Sequence, residues 1–466
     1  MMGHILLKLS GVNDQGVATS HGVSYFTELN SINIPKIVFD SMVTGKKGYF
    51  SLSPYQDKLE FYLKEEQRNV WEYELALNDE QRTMIQHHIW ELKQADLNYF
   101  FQDYNCATLT KFIISIGVPQ LLKNKTLWVT PIDVVKSVHR EKAISRTSVI
   151  PSSKWNIRML SEVLDEDRML SIKRSIDLGS MNSFDNNNDS LKLKYLSFEL
   201  AGNYLDYLYE RNDISIQQWR KISQEIEMKK DDNHERINID VSEFKSPTKT
   251  PQDTQFYIGA THLEGENYIK IGFLPASHYM EDDNRQFFGE NELRLSDLAV
   301  LYDPEKGRIK LDEFQLYSVS SLVPRNILTG GISARLKIGA EGHYDESLRR
   351  SIAFNMNGGV GLTYSILKDI NAFGVLGGGY GYGRGESYFY MNPEIGLIVE
   401  EVFDMKSIIS LENNWNQLNS RDDYFALNVT QSKYLNQNNT LIFKYHRRFN
   451  SDIDQEQLEL IYKYHF

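Results

Sequence analysis

The sequence predicts an α+β domain over residues 1–140, a helical connector over 141–253, and an antiparallel β-barrel of about 12 strands over 254–466. Three observations carry this. Short apolar runs alternate with helical periods in the first region, 3.6-residue spacing dominates the second, and period-two alternation takes over in the third. The stretch EFKSPTKTPQDTQ, 243–255, marks the last boundary, with two prolines and no apolar pattern.

In the first region HILLKLSG and HGVSYF are strands joined by the polar turn VNDQGVATS, and a third apolar run, KIVFDSMV, follows Pro35. KGYFSLSPY and LEFYLKEE lead into VWEYELAL. NDEQRTMIQHHIWELKQ is a helix: Asn78 caps it, Gln81 stands three residues on, and Ile85, Ile89 and Leu92 share a face. In NYFFQDYNCATLTKFII, Asn105 is a good N-cap, and Leu109, Phe112, Ile113 and Ile116 form an apolar stripe before Gly117 and Pro119. Thr130-Pro131 opens a further helix, with Thr as cap and Pro at the first position.

The connector has helical periodicity in IRMLSEVLDEDRMLSIKRSI, LKLKYLSFELAGNYLDYLYER and SIQQWRKISQEIEMKK, with the polar tract SFDNNNDS between the first two. In the third region ISARLKIGA sets Ala334, Leu336, Ile338 and Ala340 against Arg335 and Lys337. DYFALNVTQ sets Phe425, Leu427 and Val429 against Tyr424, Asn428 and Thr430. The last segment is the clearest: Leu458, Leu460, Tyr462, Tyr464 and Phe466 form one face, and Glu459, Lys463 and His465 the other. Fourteen of the 29 glycines fall between Gly330 and Gly385, where they permit bends and close approach in these strands. Such strands fit a closed barrel with lipid outside and water inside. A soluble barrel or sandwich alternates in the same way with its apolar face buried. The terminal Phe466, with aromatics at alternate positions before it, resembles the closing strand of bacterial outer-membrane barrels.

A formal charge of −12 without a dominant basic run argues against nucleic acid as a partner. No run of about 18 apolar residues suggests a transmembrane helix. The chain also opens without a leader pattern, so either the protein is cytoplasmic or its natural leader is not in this chain. His87-His88 makes a poor metal pair because adjacent residues point to different helix faces, and GGGYGYGRG lies among strands rather than between a strand and a helix. We expect neither a metal nor another cofactor.

Cys106, the chain's single cysteine, stands at the first helical position, where unpaired N–H groups and the helix dipole favour a thiolate. A nucleophilic cysteine needs a base within reach after folding, and spacing alone does not choose among eleven histidines. The order GHILLKLSG, SHGVSYF, GYFSLSPY, RNVWEYELALNDEQ, FFQDYNCATLTKFI and TPIDVVKSV does more. Over about residues 1–140 it resembles DUF4105, the N-terminal periplasmic domain of the lipoprotein N-acylation transferase Lnb. It also resembles the wider permuted papain-like group that includes lecithin:retinol acyltransferase and NlpC/P60 relatives.

That resemblance implies a papain-like thiol domain with Cys106 as nucleophile and His4 as base. His21 would orient His4 or be its polar neighbour, and Asn105 would cap the helix and shape the site. Helix-start N–H groups would hold the oxyanion. Two departures stand out: the commoner Asp-Asn-Cys is Asp103-Tyr104-Asn105-Cys106 here, and the Gly-His pair lies at the extreme start. The implied protein is an envelope-associated cysteine acyltransferase or lipid hydrolase, acting on a phospholipid or lipoprotein. Its barrel would sit in the bacterial outer membrane and its N-terminal domain in the periplasm. One alternative is a cysteine peptidase or amidase acting on cell-wall peptides. The other is an outer-membrane channel or structural protein with an inactive N-terminal module.

Overall fold

The first hairpin forms because Asn13 makes the turn: its side-chain oxygen accepts the N–H groups of Gln15 and Val17 at 3.0 and 2.9 Å. Gly16 supplies the left-handed backbone, with φ +77°. The computed structural model describes residues 3–28, 40, 44–93, 95–101, 103–123, 128–181, 189–232, 241, 244–345, 347–401, 403–416 and 423–466. Most of KIVFDSMV and of SFDNNNDS lies outside them.

Strands β1 (Leu7–Val12), β2 (Ala18–Thr27) and β3 (Lys46–Pro54) pair antiparallel in sequence order, and the later β5 (Asn98–Tyr99) pairs with β3. LEFYLKEE is helical: α1 (Tyr55–Glu60) widens into a π-type turn over Phe61–Glu65. Strand β4 (Val70–Leu75) precedes α2 (Asp79–Leu92), whose start carries the expected reciprocal cap between Asn78 and Gln81. Helix α3 (Cys106–Ser115) follows, and α4 (Pro131–Arg140) starts on a second reciprocal cap, Thr130 with Asp133. β6 (Ile144–Ile150) then returns to pair with β4. The core beneath α3 and α4 holds Ala107, Ile114, Leu121, Val134 and Val138.

The connector helices are α5 (Ser153–Ser161), α6 (Glu166–Leu178), α7 (Leu191–Glu210) and α8 (Ile216–Asp232). IRMLSEVLDEDRMLSIKRSI is thus two helices rather than one. Asp165 accepts the Arg168 N–H at 2.8 Å and restarts the helix as its N-cap. Phe198, Leu200 and Leu205 of α7 centre the apolar core of this bundle. Residues Gly3–Phe244 with Asn326–Gly330 form one unit, and Lys245–Arg325 with Gly331–Phe466 the other. Among the described residues no helix is long and apolar enough to cross a membrane, which says nothing about strands.

The second unit is a closed antiparallel barrel. Its strands are β7 (Gln255–Leu263), β8 (Glu266–Leu274), β9 (Ala276–His278), β10 (Glu290–Asp303), β11 (Arg308–Leu322), β12 (Ser333–Tyr344) and β13 (Arg350–Leu367). They continue with β14 (Ile370–Gly383), β15 (Glu386–Met391), β16 (Glu394–Glu401), β17 (Met405–Asn416), β18 (Tyr424–Asn436), β19 (Asn439–Phe449) and β20 (Asp454–His465). β8 with β9 and β15 with β16 are single staves interrupted at Pro275 and Pro393, so these 14 strands make 12 staves. The last strand pairs with the first, Leu460 opposite Ala260, and leaves no free edge.

The two faces settle which way the alternation points. Along β20 and the residue after it, Leu458, Leu460, Tyr462, Tyr464 and Phe466 are 40–52 % exposed, whereas Glu459, Lys463 and His465 are at most 3 % exposed. Phe256, Phe354, Leu376, Ile395, Phe425 and Phe443 continue the exposed apolar surface around other staves. The inside carries charge in pairs: Lys270 with Asp312 and Glu459, Arg294 with Asp297 and Glu313, and Arg335 with Glu394. A soluble barrel buries its apolar face, and this one turns it outward.

Candidate active site

Helix α3 packs against β2, and its first turn is fixed by Asn105. The Asn105 side-chain oxygen accepts the Thr108 N–H at 2.9 Å, and its amide donates to the Phe101 and Val129 carbonyls, each at 3.0 Å. One residue therefore caps the helix and ties the chain before it to the loop ahead of α4. Its buried face holds Leu109, Ile113 and Ile114, while Phe112, placed on the expected stripe, points to solvent. That stripe was offset because Ile114, beside Ala107, takes the inward position.

Cys106 is 7 % exposed. Burial pushes its thiol above the ordinary range, while the N–H groups of Ile5, Ala107 and Cys106 itself and the Tyr99 hydroxyl pull it part of the way back. The resting sulfur is a thiol: at this helix start, desolvation outweighs the donors that favour a thiolate.

His4 precedes β1, and the next residue, Ile5, presents its N–H to the Cys106 sulfur. The imidazole lies 6.4 Å from the Tyr62 ring, centroid to centroid. Protein crowded around the ring lowers its pKa although one side stays open to water, and the Lys58 charge lowers it further. His4 is therefore neutral at pH 7, the form able to accept a proton. His21 lies on β2 opposite Leu9 and Pro54 and is exposed. Among the described residues no hydrogen bond joins His4 to Cys106 or His21 to His4. The structure thus gathers Cys106, Asn105 and the His4-Ile5 segment, and leaves His21 on the sheet surface.

Two tyrosines complete the surroundings and were not singled out in the sequence. Tyr99, on β5, stacks on Tyr25 with ring centroids 5.5 Å apart, and its hydroxyl bonds to Cys106. Burial and the neighbouring thiol push this phenol up. Tyr62, in the turn after α1, is also raised, by burial first and then by Glu66 and Cys106. Tyr99 lay within the stretch around the cysteine, but nothing in its spacing marked it. Tyr62 carried no local signal because it meets the site only through folding. The assembly offers a protonated thiol, a neutral imidazole nearby, and donors around the sulfur able to meet developing negative charge.

Residues 1–141 match the family described as the Lnb N-terminal periplasmic domain, and residues 245–465 match a domain of unknown function, DUF7840. Among curated proteins none matches the chain. Among solved structures, the KdgM porin in complex with disordered oligogalacturonate shares 11% identity at a TM-score of 0.29, over 46% of this chain and 99% of the porin. The NanC porin shares 7% at 0.30, over 46% and 100%. The loop L8 deletion mutant of OmpT from Vibrio cholerae shares 7% at 0.27, over 46% and 97%. At these scores the likenesses carry no argument about function.

Proposed function

We propose that this protein is an outer-membrane barrel carrying a periplasmic, papain-like thiol acyltransferase or lipid hydrolase. The convergence of N–H groups and the Tyr99 hydroxyl on the sulfur of Cys106, beside a neutral His4, carries the enzymatic reading. The outward apolar face and charged interior of the closed strands carry the membrane reading. The match of residues 1–141 to a periplasmic domain family supports the location.

The reaction runs in two steps. His4 takes the proton from the Cys106 thiol as the sulfur attacks an ester carbonyl, forming a carbon–sulfur bond. The Ile5, Ala107 and Cys106 N–H groups hold the oxyanion. The ester carbon–oxygen bond then breaks, and the leaving alkoxide takes the proton from His4. An amine or water next attacks the thioester, the sulfur leaves as thiolate, and the proton from the nucleophile returns to it through His4. A phospholipid is the donor a membrane-embedded barrel keeps at hand, and a lipoprotein amine is the acceptor the Lnb resemblance suggests.

Intact-mass spectrometry after incubation with phospholipid tests this. The expected result is an added acyl mass on the wild-type chain that is absent from Cys106→Ala and removed by hydroxylamine. No adduct on wild type, with lipid turnover unchanged in both Cys106→Ala and His4→Ala, overturns the thioester route.

A further inference from the structure

The segment between β9 and β10, Tyr279–Gly289, does not extend away from the barrel as a loop. Tyr279, Glu281, Asp282 and Asn284 are each at most 8 % exposed, although the segment joins two strand ends. It is held by strands far around the wall. Counted from β7, the segment leaves between the second and third staves, and Lys406 stands at the start of the ninth. The Lys406 Nζ donates to the Met280 and Asp282 carbonyls at 3.0 and 2.7 Å and pairs with Glu290 of β10 at 2.6 Å. Staves three and nine of twelve are opposite one another, so this contact spans the lumen.

Other strands fasten the same segment. Lys463 of β20 pairs with Asp282 at 2.8 Å, Lys444 of β19 pairs with Glu281 at 2.8 Å, and the Tyr434 hydroxyl of β18 donates to the Asp282 carbonyl at 3.0 Å. An uncompensated ammonium buried this deeply is costly, and Lys406 is fully buried: Glu290 of β10 and Glu400 of β16 meet its charge at 2.6 and 3.6 Å, and the segment's two carbonyls complete its hydrogen bonding. The dependence is mutual: backbone carbonyls turned into the lumen find donors in Lys406 and Tyr434.

We propose that Tyr279–Gly289 is a strap that closes the barrel lumen at the end where β7 begins, latched by Lys406 across its width. The barrel as folded is a closed one, and passage of solutes requires the latch to open. The proposal rests on the membrane placement given above and is independent of the thiol chemistry.

The test is ionic conductance of the full-length protein in planar bilayers bathed in potassium chloride, with liposome flotation and heat-modifiable gel mobility as checks on insertion and folding. Wild type is expected to show rare, brief openings. Lys406→Met should raise the open probability on the order of a hundredfold, the scale of losing one partner of a buried pair. Tyr434→Phe, a milder change to the same strap, should raise it less and serves where Lys406→Met does not fold. Wild type conducting as steadily as the variants overturns the strap, as does a folded, inserted variant with no gain. Failure to float with liposomes overturns the membrane placement instead.

Discussion

Asn105→Ala should loosen the start of α3 by several kcal/mol, and the lone cysteine beside it can report the change. Loss of the cap to the Thr108 N–H costs about 1 kcal/mol. The Phe101 and Val129 carbonyls each lose a donor, at about 1–3 kcal/mol for a buried group left unsatisfied. The sum is roughly 3–7 kcal/mol, and at about 1.4 kcal/mol per tenfold the opening that exposes Cys106 becomes at least about a hundredfold more frequent. Because Cys106 is the only thiol, iodoacetamide labelling of the folded full-length protein, normalised to the urea-unfolded chain, reads this opening directly. Asn105→Ser keeps an acceptor for Thr108 and should label about fivefold more slowly than Asn105→Ala, which is the share of the cap alone. An Ala variant labelling within about threefold of wild type, a difference below 1 kcal/mol, would refute the argument that Asn105 holds the site together.

The raised Cys106 pKa predicts an alkylation profile with its midpoint above the ordinary thiol range; a midpoint below that range would remove the buried-thiol account. The sign for stability follows: folding favours the protonated form, so this contribution is complete below the unfolded-state pKa and is lost as pH rises through the folded one. His4 has the opposite sense, because its folded pKa is lowered. Its contribution is complete above the ordinary imidazole pKa and is lost as pH falls, and the acid limb of turnover should lie below about 6.5, as a pH–rate profile will show. On the barrel, Leu460→Arg should cost roughly 2–4 kcal/mol in urea titrations of folding into liposomes if that face meets lipid near the bilayer centre, and almost nothing if it meets water. Gly361→Ala should abolish heat-modifiable mobility, since a Cβ there would come within 1.9 Å of the Gly374 carbonyl oxygen, a backbone atom. Gly358→Ala should be tolerated, because the first atom its Cβ meets is 3.9 Å away.

What was legible in the sequence was local. The caps at Asn78, Asn105 and Thr130 depend on residues three or four apart, and each helix starts where its cap stands. What escaped was nonlocal or depended on phase. LEFYLKEE bears apolar residues at spacings that suit strand or helix, and its helical form follows from tertiary packing around Tyr55. The strand Ile144–Ile150 lies inside the segment 141–253 expected to be helical, and its strand identity comes from pairing with β4, some seventy residues earlier. Of the four expected site residues, Asn105 caps the helix and Cys106 opens it as their local sequence implied. Burial, however, makes Cys106 a thiol where the helix start alone favoured a thiolate, and His4 is brought near through Ile5. No local pattern could tell whether His21 would join them.

The barrel shows the same limit from the other side. Period two fixes which residues share a face but not whether that face looks in or out, so LELIYKYHF suits a soluble barrel and a membrane barrel equally. Closure is what breaks the tie. Once β20 pairs with β7, the face holding Glu459, Lys463 and His465 is enclosed by eleven other staves and must be neutralised from within. Lys463 finds Asp282 and Glu459 finds Lys270, both far away in sequence. The charges needed to fill such an interior are therefore supplied partly by a segment that is not a strand. EDDN, at 281–284, looks like an ordinary acidic turn, yet Glu281 and Asp282 are the counterions for Lys444 and Lys463. An acidic turn between two strands is thus indistinguishable in sequence from a strap that crosses the lumen, because the lysines that draw it inward lie more than 150 residues further along the chain.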